Sequence, residues 1–336
     1  MNVLRNISLL PYNTFGIDEE AECLIEYDTV AELREILRDT AYERPLLHIG
    51  DGSNLLFLKR YNGTILKSRI KSLEVIEQDE AHITVRVGAG WEMDAFIQYS
   101  ISQGWYGIEN LSHIPGQVGA SAVQNIGAYG TEACEHIAAV HCIAVDDGAE
   151  HSFDKDECGY AYRHSIFKTS EMRGRMIVTH VDYRLSKVFE PKLSYGPLQR
   201  AAIEVPELTA EALRDIIVDI RTRKLPDPKV TGNAGSFFMN PIVERDLFES
   251  IQSSNPTMPY YQVDADHIKI PAGWLIEQCG WKGRTLGPAG VHPHQALVLV
   301  NNGGAKGQDI VNLCDAIISD VKQRFGITLR PEVNFI

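Results

Sequence analysis

The sequence predicts a mixed α/β or α+β fold, and three observations lead there. Helix-period and strand-period segments alternate along the chain, Gly- and Pro-rich turns separate them, and 336 residues are too many for one small core. Two or three domains are therefore expected.

The elements follow in order. TVAELREILRDT (29–40) reads as a helix opened by Thr29. PLLHIG is a short apolar strand running into the turn GDGSN at 50–54, and the apolar LLFL follows. HITVRVGAG alternates Ile83, Val85 and Val87 with polar partners, the period-2 pattern of a half-buried strand, and MDAFIQYSISQG after it is helical. IAAVHCIAV from 137 and MIVTHVDYRL from 176 are further strands. Leu213, Ile216, Ile217 and Ile220 recur at helical spacing within 208–222, and that helix stops before Pro226. KLPDPKVTGNAG, with two prolines and two glycines, is the best candidate linker. Beyond it come helices near 271–279 and 308–325 and the strands ALVLV and ITLRPEVNFI.

Composition narrows the function. Hydrophobic residues at 44% and charged residues at 23% are those of an ordinary globular protein. A formal net charge of −13 opposes a nucleic-acid or anionic-membrane partner, which would want a basic face. No apolar run approaches the roughly 20 residues of a membrane helix. The six cysteines are scattered without a CxxC pair, so no metal site is expected and a reducing cytoplasm fits best. Nothing suggests an obligate oligomer, and a monomer is the default.

Several stretches carry chemistry, each with a plainer reading beside it. GDGSN after a strand can offer backbone N–H groups and the Ser53 hydroxyl to a pyrophosphate, yet a tight turn is the commoner meaning. GWYGIENLSHIPGQVGASAVQNIGAYG (104–130) spreads six glycines over 27 residues, too long for a plain connection. Its Gln124, Asn125 and Tyr129 supply amide and phenol groups to a ligand, or the small residues simply permit close packing. Arg163, among Tyr160, Tyr162 and His164, is either a stacked surface group or a planar donor for a carboxylate. Arg221, Arg223, Lys224 and Lys229 form a local cation cluster, suited to a phosphorylated ligand or to a solvated helix C-terminus. Ser236, in GNAGSFF, looks sheltered but has no GxSxG elbow and no nearby histidine, so a hydrolase nucleophile is a poor reading. Glu332, in RPEVNFI, would ordinarily face solvent.

Taken together, NTFGI, GDGSNLLF, IPGQVGASAVQNIGAYG, YRHSIFK, KLPDPKVTGNAGSFFMNP, AGWLIEQCGWKG, HPHQALVLVN and RPEVNFI, in this order, closely resemble the UDP-N-acetylenolpyruvoylglucosamine reductase family. LSYGPL around Tyr195 resembles the tyrosine loop of one subtype. The resemblance implies an α+β architecture: a two-part FAD-binding fold of the vanillyl-alcohol-oxidase type (1–70 and 71–225), then an α/β substrate domain (226–336). It implies non-covalent FAD, NADPH as hydride donor, and reduction of UDP-N-acetylglucosamine enolpyruvate in peptidoglycan precursor synthesis. The cofactor contacts it implies are Gly50, Gly52, Ser53 and Asn54 in the first turn and Ile114, Pro115, Gly116 and Gly119 in the long loop. Gln124, Asn125, Gly127, Tyr129 and Arg221 complete that set. For the sugar nucleotide it implies Tyr162, Tyr195, Lys224, Asn240, Tyr261, Lys282 and Gln295.

Hydride addition to an enolpyruvyl ether builds enolate charge next to a carboxylate. The resemblance assigns Arg163 and Glu332 to stabilising that charge and Ser236 to protonating the α-carbon, with Phe237 and Phe238 excluding water. Two rivals use these residues less well. A flavin oxidase of the same fold has no role for Ser236 and Glu332, and a non-catalytic UDP-sugar sensor has no use for a proton donor. His292 and His294, in HPHQ, have no assigned role.

Overall fold

The computed structural model describes residues 1–336, which divide into two compact units, each assembled from separate stretches of chain. The first comprises Met1–Ile7, Ala21–Asp51 and Tyr61–Arg221; the second comprises Ser8–Glu20, Gly52–Arg60 and Thr222–Ile336. No helix is long and apolar enough to cross a membrane.

In the first unit a four-stranded sheet runs in the order Asn2–Ser8, Glu20–Tyr27, Tyr61–Ser68, Leu46–Ile49. Tyr61–Ser68 pairs in parallel with both Glu20–Tyr27 and Leu46–Ile49. Helix Val30–Arg38 begins where the sequence indicates: the Thr29 hydroxyl accepts from the Glu32 N–H at 3.1 Å, a side-chain N-cap. Its Leu33, Ile36 and Leu37 pack with Ile25, Tyr27 and Leu66 in the core of this half.

A second, antiparallel sheet has the order Glu150–Asp154, Ile137–Ala144, Met176–Ser186, His82–Gly88, Leu73–Gln78. Strict alternation sends Ile83, Val85, Val87, Val181, Tyr183 and Leu185 to one face, where Phe96 and Ile97 of helix Met93–Ser102 cover them. On the opposite face Arg86 forms two hydrogen bonds of 2.8 Å to Asp182, and His141 lies 2.9 Å from the same carboxylate.

The segment 104–130 is less irregular than its glycines suggest. It holds a 3-10 turn at Glu109–Leu111 and a short helix, Val118–Gln124, that the sequence does not announce. The helix is built from Val, Gly, Ala and Ser because it packs closely: a Cβ on Gly119 would come within 2.8 Å of the Ala89 Cβ. Helix Ala210–Lys224 closes this unit, its Leu213 and Ile217 meeting Leu198.

The second unit carries an antiparallel sheet in the order Gly232–Ser236, Val298–Asn301, Ala289–Val291, Thr285–Leu286. Helix Gly307–Phe325 buries Ile310, Leu313, Ile317 and Val321 in the same core as Phe237 and Phe238. GNAGS is thus a strand, not part of a linker: the Asn233 N–H donates to Thr14 O at 2.9 Å, and Gly232 sits so close to Phe15 O that a Cβ would fall 2.1 Å from it. ITLRPEVNFI also departs from expectation. Only Asn334–Phe335 is strand, paired in parallel with Leu55–Leu56, because Pro331 has no N–H to continue a ladder.

Candidate active site

In the first unit, the two glycine-rich stretches meet. A Cβ on Gly50 would lie 3.4 Å from the Gln117 Oε1 and 3.5 Å from the Ala120 Cβ, so the turn after strand Leu46–Ile49 rests against the start of helix Val118–Gln124. Gln117 is buried and its amide donates to Ser68 O and Gly90 O, both at 3.3 Å. Gly116 holds φ +119° and gives its carbonyl to the Met93 N–H, while Gly119 gives its N–H to Ala89 O at 3.1 Å. Gly119 therefore shapes this site by packing.

His113, just before Ile114 and Pro115, has φ +62°, and both ends of its backbone are held. Its N–H donates to Asp94 at 2.6 Å, and its carbonyl accepts from the Arg221 Nε at 3.1 Å. Asp94 is itself paired with Arg214 at 2.7 Å. Burial lowers the Arg221 pKa, with Tyr129 and Asp94 opposing that shift; burial likewise raises the Tyr129 phenol, against the pull of Arg221. Arg221 thus lies beside Tyr129, and the Tyr129 ring packs edge-on against Tyr195 with centroids 5.2 Å apart. Tyr195 stands directly before helix Gly196–Ile203.

The Arg163 neighbourhood is the most constrained part. Ala161 and His164 exchange both backbone hydrogen bonds, leaving Tyr162 and Arg163 as a two-residue turn. Arg163 has φ +54°, a conformation that costs a non-glycine residue about 1 kcal/mol. Hydrogen bonds from three residues hold the turn. Lys168 Nζ donates to Arg163 O at 2.8 Å and to Gln124 Oε1 at 2.7 Å; Ser165 Oγ donates to Val123 O at 2.6 Å; and the Asn125 amide donates to Ala161 O at 3.0 Å. The guanidinium donates to Asn125 O at 3.2 Å and Gly127 O at 2.7 Å and lies over the Tyr162 ring. Asn125 and Tyr129, with φ +46° and +50°, share the left-handed conformation, and such outliers gather at functional sites.

In the second unit, the structure brings Ser236 and Glu332 onto neighbouring segments. Glu332 N–H donates to Phe237 O at 2.8 Å, and Phe238 is bridged to Pro331. The Asn54 amide donates to Glu332 O at 3.3 Å. Ser236 is exposed, not sheltered. Phe237 and Phe238 are 0% and 1% exposed, their rings 5.1 Å apart in the core. They anchor the strand that carries Ser236.

Three of the sugar-nucleotide residues converge on helix Ala272–Gln278. Asn240 Oδ1 accepts from the Ala272 N–H at 2.9 Å; Gln295 Oε1 lies 3.3 Å from where a Cβ on Gly273 would be; and Lys282 is paired with Glu277 at 3.0 Å. Tyr261 is half exposed beneath the Lys269 ammonium, and Lys224, the last residue of its helix, is exposed. His292 and His294 face each other at 5.5 Å, and no group of His, Cys, Asp and Glu forms a metal set. Sequence reasoning missed Asn233, Lys168, Asp94 and Gln117. Each acts by holding backbone, and only Lys168 left a signal, the lysine of YRHSIFK.

Comparison with known proteins agrees with this arrangement. Residues 21–154 match the FAD binding domain family, and residues 227–336 match UDP-N-acetylenolpyruvoylglucosamine reductase, C-terminal domain. Fold and site together define a flavin-dependent oxidoreductase. The chain is 55% identical over 332 residues to the UDP-N-acetylenolpyruvoylglucosamine reductase of Bacteroides fragilis, covering 99% of both chains, and 44% identical over 339 residues to that of Porphyromonas gingivalis, covering 100% of both. The solved structure of the Thermus caldophilus reductase superposes with a TM-score of 0.69 at 23% identity, covering 100% of this chain and 99% of that one, and supports the fold. The chain belongs to the UDP-N-acetylenolpyruvoylglucosamine reductase family.

FAD fits what the first unit offers. The Gly50 turn lying against the 117–120 segment is the kind of surface a diphosphate needs, since glycine lets backbone approach closely. Arg221 adds a fixed cation on the His113 carbonyl, at the start of the segment that leads to this helix.

Proposed function

We propose that this protein reduces UDP-N-acetylglucosamine enolpyruvate to UDP-N-acetylmuramate with NADPH as hydride donor, acting as a monomer in the cytoplasm with dissociable FAD. The observation that carries this reading is the pairing of the Ser236 strand with the Glu332 segment, in a chain that matches reductase relatives over 99% of its length. The three-part division at 1–70, 71–225 and 226–336 belongs to the same reading.

Bound FAD supplies hydride transfer, from NADPH to the enolpyruvyl β-carbon. The protein residues handle charge and proton. Arg163 offers five N–H donors, enough to hold the Asn125 and Gly127 carbonyls and a substrate carboxylate together. Glu332, by sharing a proton with the same carboxylate, polarises it and favours its enolic form. Ser236 donates its hydroxyl proton to the α-carbon as the enolate collapses, which completes the lactyl ether. Tyr162 and Tyr195 flank the sugar nucleotide, Lys224 meets its diphosphate, and Asn240, Tyr261, Lys282 and Gln295 orient it. Gly52, Ser53, Ile114, Pro115 and Gln124 line the cofactor.

The test is an anaerobic flavin spectrum in two stages. NADPH should bleach the flavin band and the enolpyruvyl sugar nucleotide should restore it. In Ser236→Ala the bleaching should persist at the parent rate, while recovery should slow by more than the roughly 10²–10³ lost with one preorganised donor. Recovery with oxygen alone would instead make the protein an oxidase, and a protein that takes up no flavin would end the reading.

A further inference from the structure

We propose that Asn233 is a positioning residue for proton transfer, because its buried amide fixes the β-bulge that turns the Ser236 hydroxyl out of the sheet. This rests on the proton-donor reading of Ser236. The register shows the device. Gly232 pairs with Asn301 and Asn233 with Val300, but Ser236 pairs with Val298. One extra residue has been inserted at Ala234–Gly235, and a one-residue slip sends each following side chain to the opposite face. With the bulge, Phe237 and Phe238 enter the core and Ser236 is exposed; without it, Ser236 would take the other face.

Two features hold the bulge. Gly235 has φ +66°, which glycine adopts without strain. Asn233, 5% exposed, uses its whole side chain: Oδ1 accepts from the Gly235 N–H at 2.9 Å, and Nδ2 donates to Thr231 O at 2.8 Å and Pro226 O at 3.2 Å. No other protein amino-acid side chain presents one acceptor and two donors in this length except glutamine, which is one methylene too long. Asn233 touches neither reacting atom. It acts by deciding where the Ser236 oxygen stands, and a displacement of about 1 Å at such a group costs about 10²-fold in rate.

The experiment separates the two half-reactions by anaerobic stopped-flow on the flavin-loaded protein. Asn233→Ala and Gly235→Val should each slow flavin reoxidation by the enolpyruvyl sugar nucleotide roughly 10²-fold. Flavin content and reduction by NADPH should stay within about twofold, a split that general loosening of the fold would not give. Gly235→Asn should restore near-parent reoxidation, since asparagine tolerates the left-handed conformation. If Asn233→Ala does not fold, the Gly235 pair decides, because a Cβ at 235 meets nothing within 4 Å and only backbone strain is added. Parent-like reoxidation in Gly235→Val, or equal slowing of both half-reactions, would overturn the proposal. Normal reoxidation in Ser236→Ala would overturn it together with the proton-donor reading, whereas slow Ser236→Ala beside normal Asn233→Ala would overturn the positioning role alone.

Discussion

At the scale of single residues, Arg163 shows what sequence can and cannot reveal. Its chemistry was legible, since an arginine among aromatics suits a carboxylate. Its backbone was not: φ +54° depends on Lys168, Ser165 and Asn125, which lie up to 38 positions away in the chain. Gly127 belongs to the same constraint. Its carbonyl receives the guanidinium at 2.7 Å, and a Cβ there would lie 3.0 Å from Arg163 Nη1 and 3.0 Å from Glu132 Cγ. The φ of Gly127 is not in the left-handed region, so the substitution is one of space alone. Gly127→Ala should push the guanidinium aside and slow flavin reoxidation by the sugar nucleotide about tenfold, equivalent to about 1.4 kcal/mol. Reduction by NADPH should be unchanged. Stopped-flow traces of the two phases check this, and an unchanged second phase would detach Gly127 from Arg163.

At the scale of elements, the strongly periodic pieces were legible and the shape-dependent ones were not. The strand His82–Gly88 and the helix Val30–Arg38 declare themselves through alternation and an N-cap. Helix Val118–Gln124 does not, because its small residues serve close packing against Ala89 and carry no apolar stripe. The five-stranded sheet adds a feature no single strand reveals. Arg86, His141 and Asp182 come from three different strands and join on one face. Burial acts to raise the Asp182 pKa, but the hydrogen bonds from Arg86 and His141 outweigh it and bring the carboxyl down to about 2 from 3.8. A depressed pKa means that stability is present above 3.8 and is lost as pH falls toward 2. Asp182→Asn should therefore cost about 2 kcal/mol at neutral pH. The gap to the parent should close between pH 4 and 2 (about one proton's linkage). Denaturant titrations across that range test the sign, and a gap that widens on acidification would refute the account.

At the scale of the whole molecule, the order of motifs identified the family, while the assembly of each unit from separate stretches stayed hidden. The second unit joins residues 8–20 and 52–60 to the stretch from 222 onward, and pairings between positions nearly 280 apart have no local signature. Asn54 illustrates the consequence. From sequence it belongs to a cofactor-binding turn, yet its amide donates to Glu332 O and its carbonyl accepts from the Asn334 N–H at 3.0 Å. The same residue thus staples the segment that carries Glu332, and the two roles predict different losses. A cofactor ligand would weaken flavin binding when removed; a staple would leave flavin in place and loosen Glu332. One of the two Asn54 amide N–H groups is given to Glu332 O, and that bond favours the staple. Asn54→Ala should lower stability by about 1 kcal/mol, the worth of one hydrogen bond. Flavin reoxidation should slow several-fold at an unchanged flavin dissociation constant. Flavin titration beside stopped-flow reoxidation decides between the roles: a raised dissociation constant with normal reoxidation would return Asn54 to the cofactor.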